Sequence, residues 1–180
     1  MADVQAAFTK AGCRNVSTYI ASGNVIFDAP ASDAAALRRR ISRAMHRLLG
    51  AEPVIVYRSA RQLQALAETR PFGALVDDRT LKLYVAFVLD RTRARPVFPL
   101  AQPKEALEAI GMIKGDVLIV SRPRPTGMIY GFPANWIEKE LGVVATVRNW
   151  STVAKLAELT DQRRRRKRPA SAGPRTRTRT

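Results

Sequence analysis

Along this chain the apolar pattern switches repeatedly between the periods of a helix and of a strand, and the order of those switches restricts the fold more than composition does. Asp3 to Gly12 fits a short helix with Val4, Ala7, Phe8 and Ala11 on one face. Asn15 to Ile20 and Val25 to Phe27 are β-branched and aromatic runs around Ser22-Gly23-Asn24, a hairpin signature because Gly and Asn tolerate positive φ. Ala34 to Leu49 reads as a helix capped by Ser32 or Asp33 and stopped by Gly50. Pro53 to Tyr57 reads as a strand, Ala60 to Glu68 as a helix capped by Ser59, and residues 69–78 as a connector.

A second series starts at Leu81. Leu81 to Val88 is the strongest strand signal in the chain, and a helix is expected around Pro103 to Ile110. Asp116 to Ser121 and Met128 to Tyr130 read as a strand pair, followed by a helix over Ala134 to Leu141, a strand over Val143 to Arg148 and a helix over Ser151 to Thr160. Residues 81–148 therefore spell β-α-β-β-α-β, the split unit of the ferredoxin-like fold. Residues 3–57 spell the same unit without its leading strand. The expected fold is α+β: two tandem ferredoxin-like halves over 1–69 and 81–161, joined by a connector at 70–80 and followed by a disordered tail at 162–180. In such a unit the leading strand lies mid-sheet, so its absence leaves backbone groups without partners. A rearranged sheet, a strand from another molecule or a late start to the chain would resolve this. The helix cap immediately after Met1 favours the late start, although Asp3 serves equally as a natural cap.

Charge is concentrated at one end. The 180 residues carry 31 basic and 15 acidic side chains. Nine of the positive charges, including Arg163, Arg164, Arg165, Arg166, Lys167 and Arg168, fall in residues 162–180, which contain no acid and whose Pro, Ala, Gly and Arg-Thr composition cannot build a core. A single cysteine, Cys13, excludes a disulfide framework within the chain, and a single histidine, His46, leaves no cluster of soft metal ligands. No metal or cofactor is expected. No apolar run is long enough to span a membrane and no signal peptide opens the chain, so a cytoplasmic protein is the default; the oligomeric state is not legible.

Two stretches carry a family likeness. Thr18-Tyr19-Ile20-Ala21-Ser22-Gly23-Asn24-Val25-Ile26-Phe27 resembles the Thr-Tyr-Ile-x-Ser-Gly-Asn-Val-x-Phe signature of a bacterial family, domain of unknown function 1697. Arg148-Asn149-Trp150-Ser151-Thr152-Val153-Ala154-Lys155-Leu156 is similar to that family's closing Arg-Asn-Trp-x-Thr-Val-x-Lys-Leu. The resemblance implies an α+β fold of ferredoxin-like type and no assigned activity. Members usually open with Tyr-Val-Ala-Leu-Leu-Arg-Gly-Ile-Asn-Val-Gly-Gly, which no position here matches, so a role resting on that loop does not carry over.

Candidate sites follow from turn and terminus chemistry. Ser22, Gly23 and Asn24 can offer a hydroxyl, an amide and open N–H groups to an anion, or can simply reverse the chain. Tyr19 shares a face with Ser17 and either packs or covers a ligand. Arg148, Asn149 and Trp150 lead a strand into a helix N-terminus, where positive potential suits an anion; structurally, Arg148 would instead pair with a carboxylate and Trp150 fill a gap. Any functional surface is expected where the Ser22–Asn24 turn meets the Arg148–Trp150 corner. The leading reading is a module binding a small anionic ligand. The alternative is nucleic-acid association through Arg163 to Arg168, where phosphate neutralisation releases counterions. An enzyme ranks third, because no triad, metal set or nucleotide-binding glycine motif is evident. Should the first half lack a central strand, it will be marginally stable, with residues 1–57 melting apart from 81–160; one sharp common transition would count against this.

Overall fold

The computed structural model describes residues 1–20, 23–29, 33–89, 96–125, 127 and 129–167. Among these residues the protein is a mixed α+β fold with five α-helices and two sheets, of two and of five strands. Helix α1 (Ala2–Lys10) leads into an antiparallel hairpin of β1 (Arg14–Tyr19) and β2 (Asn24–Asp28). Helix α2 (Ala34–Leu49) starts where the Asp33 carboxylate accepts from the Ala36 N–H and stops at Gly50, whose φ of 71° a side chain would disfavour. Helix α3 (Ala60–Glu68) carries a reciprocal cap between Ser59 and Gln62. These boundaries match the sequence reading because each is set by local chemistry.

The larger sheet has the order β4-β5-β6-β3-β7, antiparallel throughout, from β3 (Lys82–Val88), β4 (Leu100–Gln102), β5 (Leu107–Ile113), β6 (Asp116–Ser121) and β7 (Ala145–Asn149). β3 lies between β6 and β7 and is buried on both faces, which explains its nearly continuous apolar run. Tyr84, Ala86 and Val88 pack with Ile137 and Leu141 of α4 (Ala134–Leu141). Val85 and Phe87 pack on the opposite face with Leu66 of α3 and Val153 of α5 (Trp150–Lys167). A third core joins Phe8 and Ala11 to Leu37, Ile41 and Met45, with Val25, Phe27, Ile55 and Tyr57 packed against it.

Four expectations are corrected. The helix expected over Pro103 to Ile110 is a short 3-10 turn at Pro103–Glu105 followed by β5. Lys114 and Gly115, with φ of 52° and 95°, form the two-residue turn that folds β5 onto the fully buried β6, and that pairing overrides the helical propensity of Leu107-Glu108-Ala109. The second half therefore runs β-β-β-β-α-β. Pro53 to Tyr57 takes no regular secondary structure and joins no sheet among the described residues. Of the strand expected over Met128 to Tyr130, a single bridge from Tyr130 to Pro123 is present, and Met128 lies outside the described residues. Finally, α5 continues to Lys167, so residues 162–167 of the expected tail are helical; 168–180 lie outside the described residues.

The unpaired stretch is tied to the large sheet at its end. Arg58 Nε donates to Asp116 Oδ2 at 3.1 Å and Nη2 ion-pairs with Asp116 Oδ1, while Nη2 also reaches the Val88 carbonyl at 2.9 Å. The guanidinium lies 5.4 Å from the Phe87 ring centroid. Asp116 is buried and Arg58 half-buried, with side-chain exposures of 10% and 19%, so losing the arginine strands a carboxylate withdrawn from water. Arg58→Ala is expected to destabilise the protein by about 3–5 kcal/mol in urea titrations. The double replacement with Asp116→Ala should recover part of that loss, and a cost for Arg58→Ala below about 1 kcal/mol would show that the pair is not an anchor.

Candidate functional site

The turn of the hairpin and the end of β7 meet. Tyr19 stands opposite Asn24 in the hairpin register, and the Asn24 amide closes the turn by donating to the Tyr19 carbonyl at 3.1 Å. Asn24 is 8% exposed. Its Oδ1 accepts from Arg148 Nε at 2.8 Å, across 124 residues of sequence. Arg148 Nη1 donates to Thr146 Oγ1 at 2.7 Å and to the Val147 carbonyl at 2.8 Å. Three neutral acceptors thus fix the guanidinium plane. The group is half-buried, and burial lowers its pKa from the usual arginine value. Among the described residues no carboxylate pairs with it, and Nη2 has no hydrogen-bond partner. A methyl carbon at Gly23 would stand 3.9 Å from Nη2, so the absence of a side chain there leaves this edge approachable.

The other sequence candidates divide. Gly23, at φ 80°, lies beside Arg148, while Ser22 is outside the described residues. Tyr19 is half-buried on the hairpin face shared with Ser17 and Asn24. Asn149 is exposed and stands opposite Tyr84 in the β3–β7 ladder. Trp150 turns away, its ring centroid 5.4 Å from that of Phe72 at an interplanar angle of 61°, and fills the space between α3, α5 and the sheet. The structure therefore brings together Asn24, Gly23 and Arg148, and directs Trp150 elsewhere.

Sequence reasoning placed Arg163 in a solvated tail, whereas its Nη1 donates to the Asn15 carbonyl at 2.8 Å and its Nη2 to Ser17 Oγ at 3.0 Å. Arg164 and Arg165 pair with Asp161, and Lys167 pairs with Asp28. Burial would raise the Asp28 pKa, but hydrogen bonds from Lys167 and Asn15, with the charges of Lys167 and Arg163, outweigh it and hold it below the ordinary value. The missed signal was spacing: Val153, Leu156, Thr160, Arg163 and Lys167 recur at intervals of three and four, so the inner stripe of α5 runs on into the basic residues.

Beside Arg148 opens a slot of about 960 Å³. β2 and residues 53–58 form two of its walls, α2 contributes Leu37 and Ile41, and α5 contributes Leu156 and Arg163. Tyr57 lines it with a buried hydroxyl that has no hydrogen-bond partner among the described residues. Burial pushes the Tyr57 pKa up to about 12, against the opposing charge of Arg38, whose guanidinium stands 5.0 Å from the ring centroid. No group of three His, Cys, Asp or Glu among the described residues could hold a metal ion. His46 Nδ1 lies 3.4 Å from Glu52 Oε2, both exposed, and burial raises the Cys13 pKa, which keeps it a thiol.

The sequence matches the family described as protein of unknown function (DUF1697) over residues 1–118. The chain belongs to that family. The matched stretch contains the Thr18–Phe27 signature, Arg58 and Asp116, whereas Arg148 and α5 lie beyond it. Comparison with curated proteins and with solved structures gives no match. Among the described residues of this family member no helix is long and apolar enough to cross a membrane.

The Tyr57 phenol gives a pH test. An unfolded tyrosine ionises near about 10 and the folded one at about 12, so keeping it neutral stabilises the fold fully below about pH 10 and progressively less as the pH rises through that window. Urea midpoints across this range should fall less steeply for Tyr57→Phe than for the parent; identical slopes would mean that Tyr57 is not buried as described.

Proposed function

We propose that this protein is a binding module that takes an anionic group, a carboxylate or a phosphate oxygen, at the Arg148–Asn24 corner. The observation that carries the reading is a half-buried guanidinium held only by neutral acceptors, with one N–H edge unengaged and no acid beside it among the described residues. A cation withdrawn from water without a counter-charge is unfavourable, and an arriving anion would relieve that while accepting charge-assisted hydrogen bonds. Arginine keeps its proton even when burial lowers its pKa, so the site stays positive near neutrality. The neutral cradle of Asn24, Thr146 and the Val147 carbonyl sets direction without neutralising charge. Binding is favoured over catalysis because the corner presents no nucleophile hydrogen-bonded to a base among the described residues.

Nucleic-acid association through the basic end draws less support. Arg163, Arg164, Arg165 and Lys167 are engaged within the protein, and Arg168 lies outside the described residues.

Thermal denaturation with inorganic phosphate and with citrate at constant ionic strength tests the reading. A ligand at 100 times its Kd should add about 2.7 kcal/mol to the parent and almost nothing to Arg148→Ala. Arg148→Lys, which keeps the charge but loses the planar fork, should retain a fraction of the effect. Equal stabilisation of the parent and Arg148→Ala by both anions would sink the proposal.

A further inference from the structure

We infer that the slot between β2 and residues 53–57 is a docking site for an extended peptide strand from a partner polypeptide, apolar on alternate residues and acidic on the others.

The two walls carry the argument. β2 pairs with β1 along one edge only, and residues 53–57 pair with no strand among the described residues. Among the described residues, the one backbone group within Pro53–Tyr57 that accepts a bond is the Tyr57 carbonyl, from Arg58 Nη1 at 2.9 Å. Two open backbone edges therefore flank one slot. An edge of that kind is a template for strand addition, and a strand inserted between two of them makes ladder bonds on both sides. Each wall is five residues long, so the matching strand is about 16–17 Å in length.

The faces define the chemistry of the occupant. Along β2, Val25 and Phe27 point to the core formed with α1 and α2, while Asn24 and Asp28 point to Arg148 and Lys167. Along the other wall, Ile55 and Tyr57 join the α1–α2 core, whereas Val56 joins the core under α3 and α5. A strand in the slot would thus place one set of alternate side chains beside the half-buried Val25, Phe27, Ile55 and Tyr57, which calls for apolar residues. The other set would face α5 and the end of β7, where Arg148 and Arg163 are held by neutral acceptors alone among the described residues, which calls for carboxylates. Around the slot basic side chains far outnumber acidic ones, Asp28 being the sole carboxylate in its lining among the described residues. The orphaned Tyr57 hydroxyl adds a polar group without a partner in the same wall. The acidic face of the occupant rests on the reading of Arg148 given above; the backbone pairing does not.

Fluorescence anisotropy with the full chain tests this, with hydrogen exchange as the second readout. The probe is a labelled peptide of strictly alternating glutamate and valine, long enough to cover the slot and blocked at both ends. Saturable binding is expected, with slowed exchange of the amides of residues 25–28 and 54–57. Methylating the valine nitrogens, which blocks one edge of the ladder, should weaken binding at least tenfold. A block peptide of the same composition, all its glutamates preceding all its valines, should lose as much. Affinity for these two controls equal to that for the alternating peptide, or unchanged exchange at both walls, would overturn the strand while leaving the anion reading intact. Equal affinity for an alternating peptide with glutamine in place of every glutamate would instead overturn the acidic face and the reading of Arg148 together. A concentration-dependent dimer of the chain alone, with those amides already protected, would show that a second copy fills the slot and would overturn the partner strand.

Discussion

Everything about the amino-terminal part depends on how residues 53–58 are held without a strand ladder. Their fixed point is Arg58, which satisfies Asp116 at the start of β6 and the Val88 carbonyl at the end of β3. Burial of Asp116 favours keeping that contact, because its carboxylate is costly to leave unpaired. From this anchor the chain runs back toward Pro53 with Ile55 and Tyr57 on one core and Val56 on another. Side-chain packing, rather than backbone pairing, therefore sets one wall of the slot, and among the described residues the peptide groups of that wall have no backbone partner.

The Arg148 corner depends on a second long-range contact, between a hairpin turn and the last strand. β7 is ordered by its ladder with β3, so the guanidinium is presented by an edge strand of the larger sheet to a turn on the smaller one. Asn24 serves both sides: its amide closes the turn and its carbonyl oxygen receives Arg148. Backbone reversal and site geometry are thus one arrangement of one side chain. This is why the structural and functional readings of the Ser22–Asn24 stretch do not exclude each other at Asn24, and why Trp150, engaged with Phe72, contributes packing alone.

What could be read from sequence was what local chemistry determines. Asp33 and Gly50 bound α2, the Ser59–Gln62 cap begins α3, and the Gly-Asn turn folds the hairpin; each is a contact within a few residues. What could not be read was decided by partners distant in the chain. Leu107-Glu108-Ala109 is a helical tripeptide by propensity and becomes a strand because buried β6 offers it a ladder. Pro53 to Tyr57 has strand composition, and among the described residues no strand pairs with it. The meeting of the Asn24 turn with the Arg148 corner was suggested by motif chemistry, but the lack of an acid beside Arg148 among the described residues is visible only in three dimensions. Within Arg163 to Lys167, composition pointed to a solvated tail and periodicity to a helix, and the helix formed because the stripe of α5 continues across β1 and β2.

The reach of α5 has a bearing on how the molecule is made. Its first turns pack against the large sheet and α3, and its last ones clamp Asn15, Ser17 and Asp28. The hairpin emerges from the ribosome early, yet one of its faces waits for residues translated well over a hundred positions later. Contacts of such sequence separation carry a loop-closure penalty and slow the approach to the native state. During that interval the open strands of the nascent chain have no cover on that side, which is when association with another polypeptide, productive or not, is least hindered.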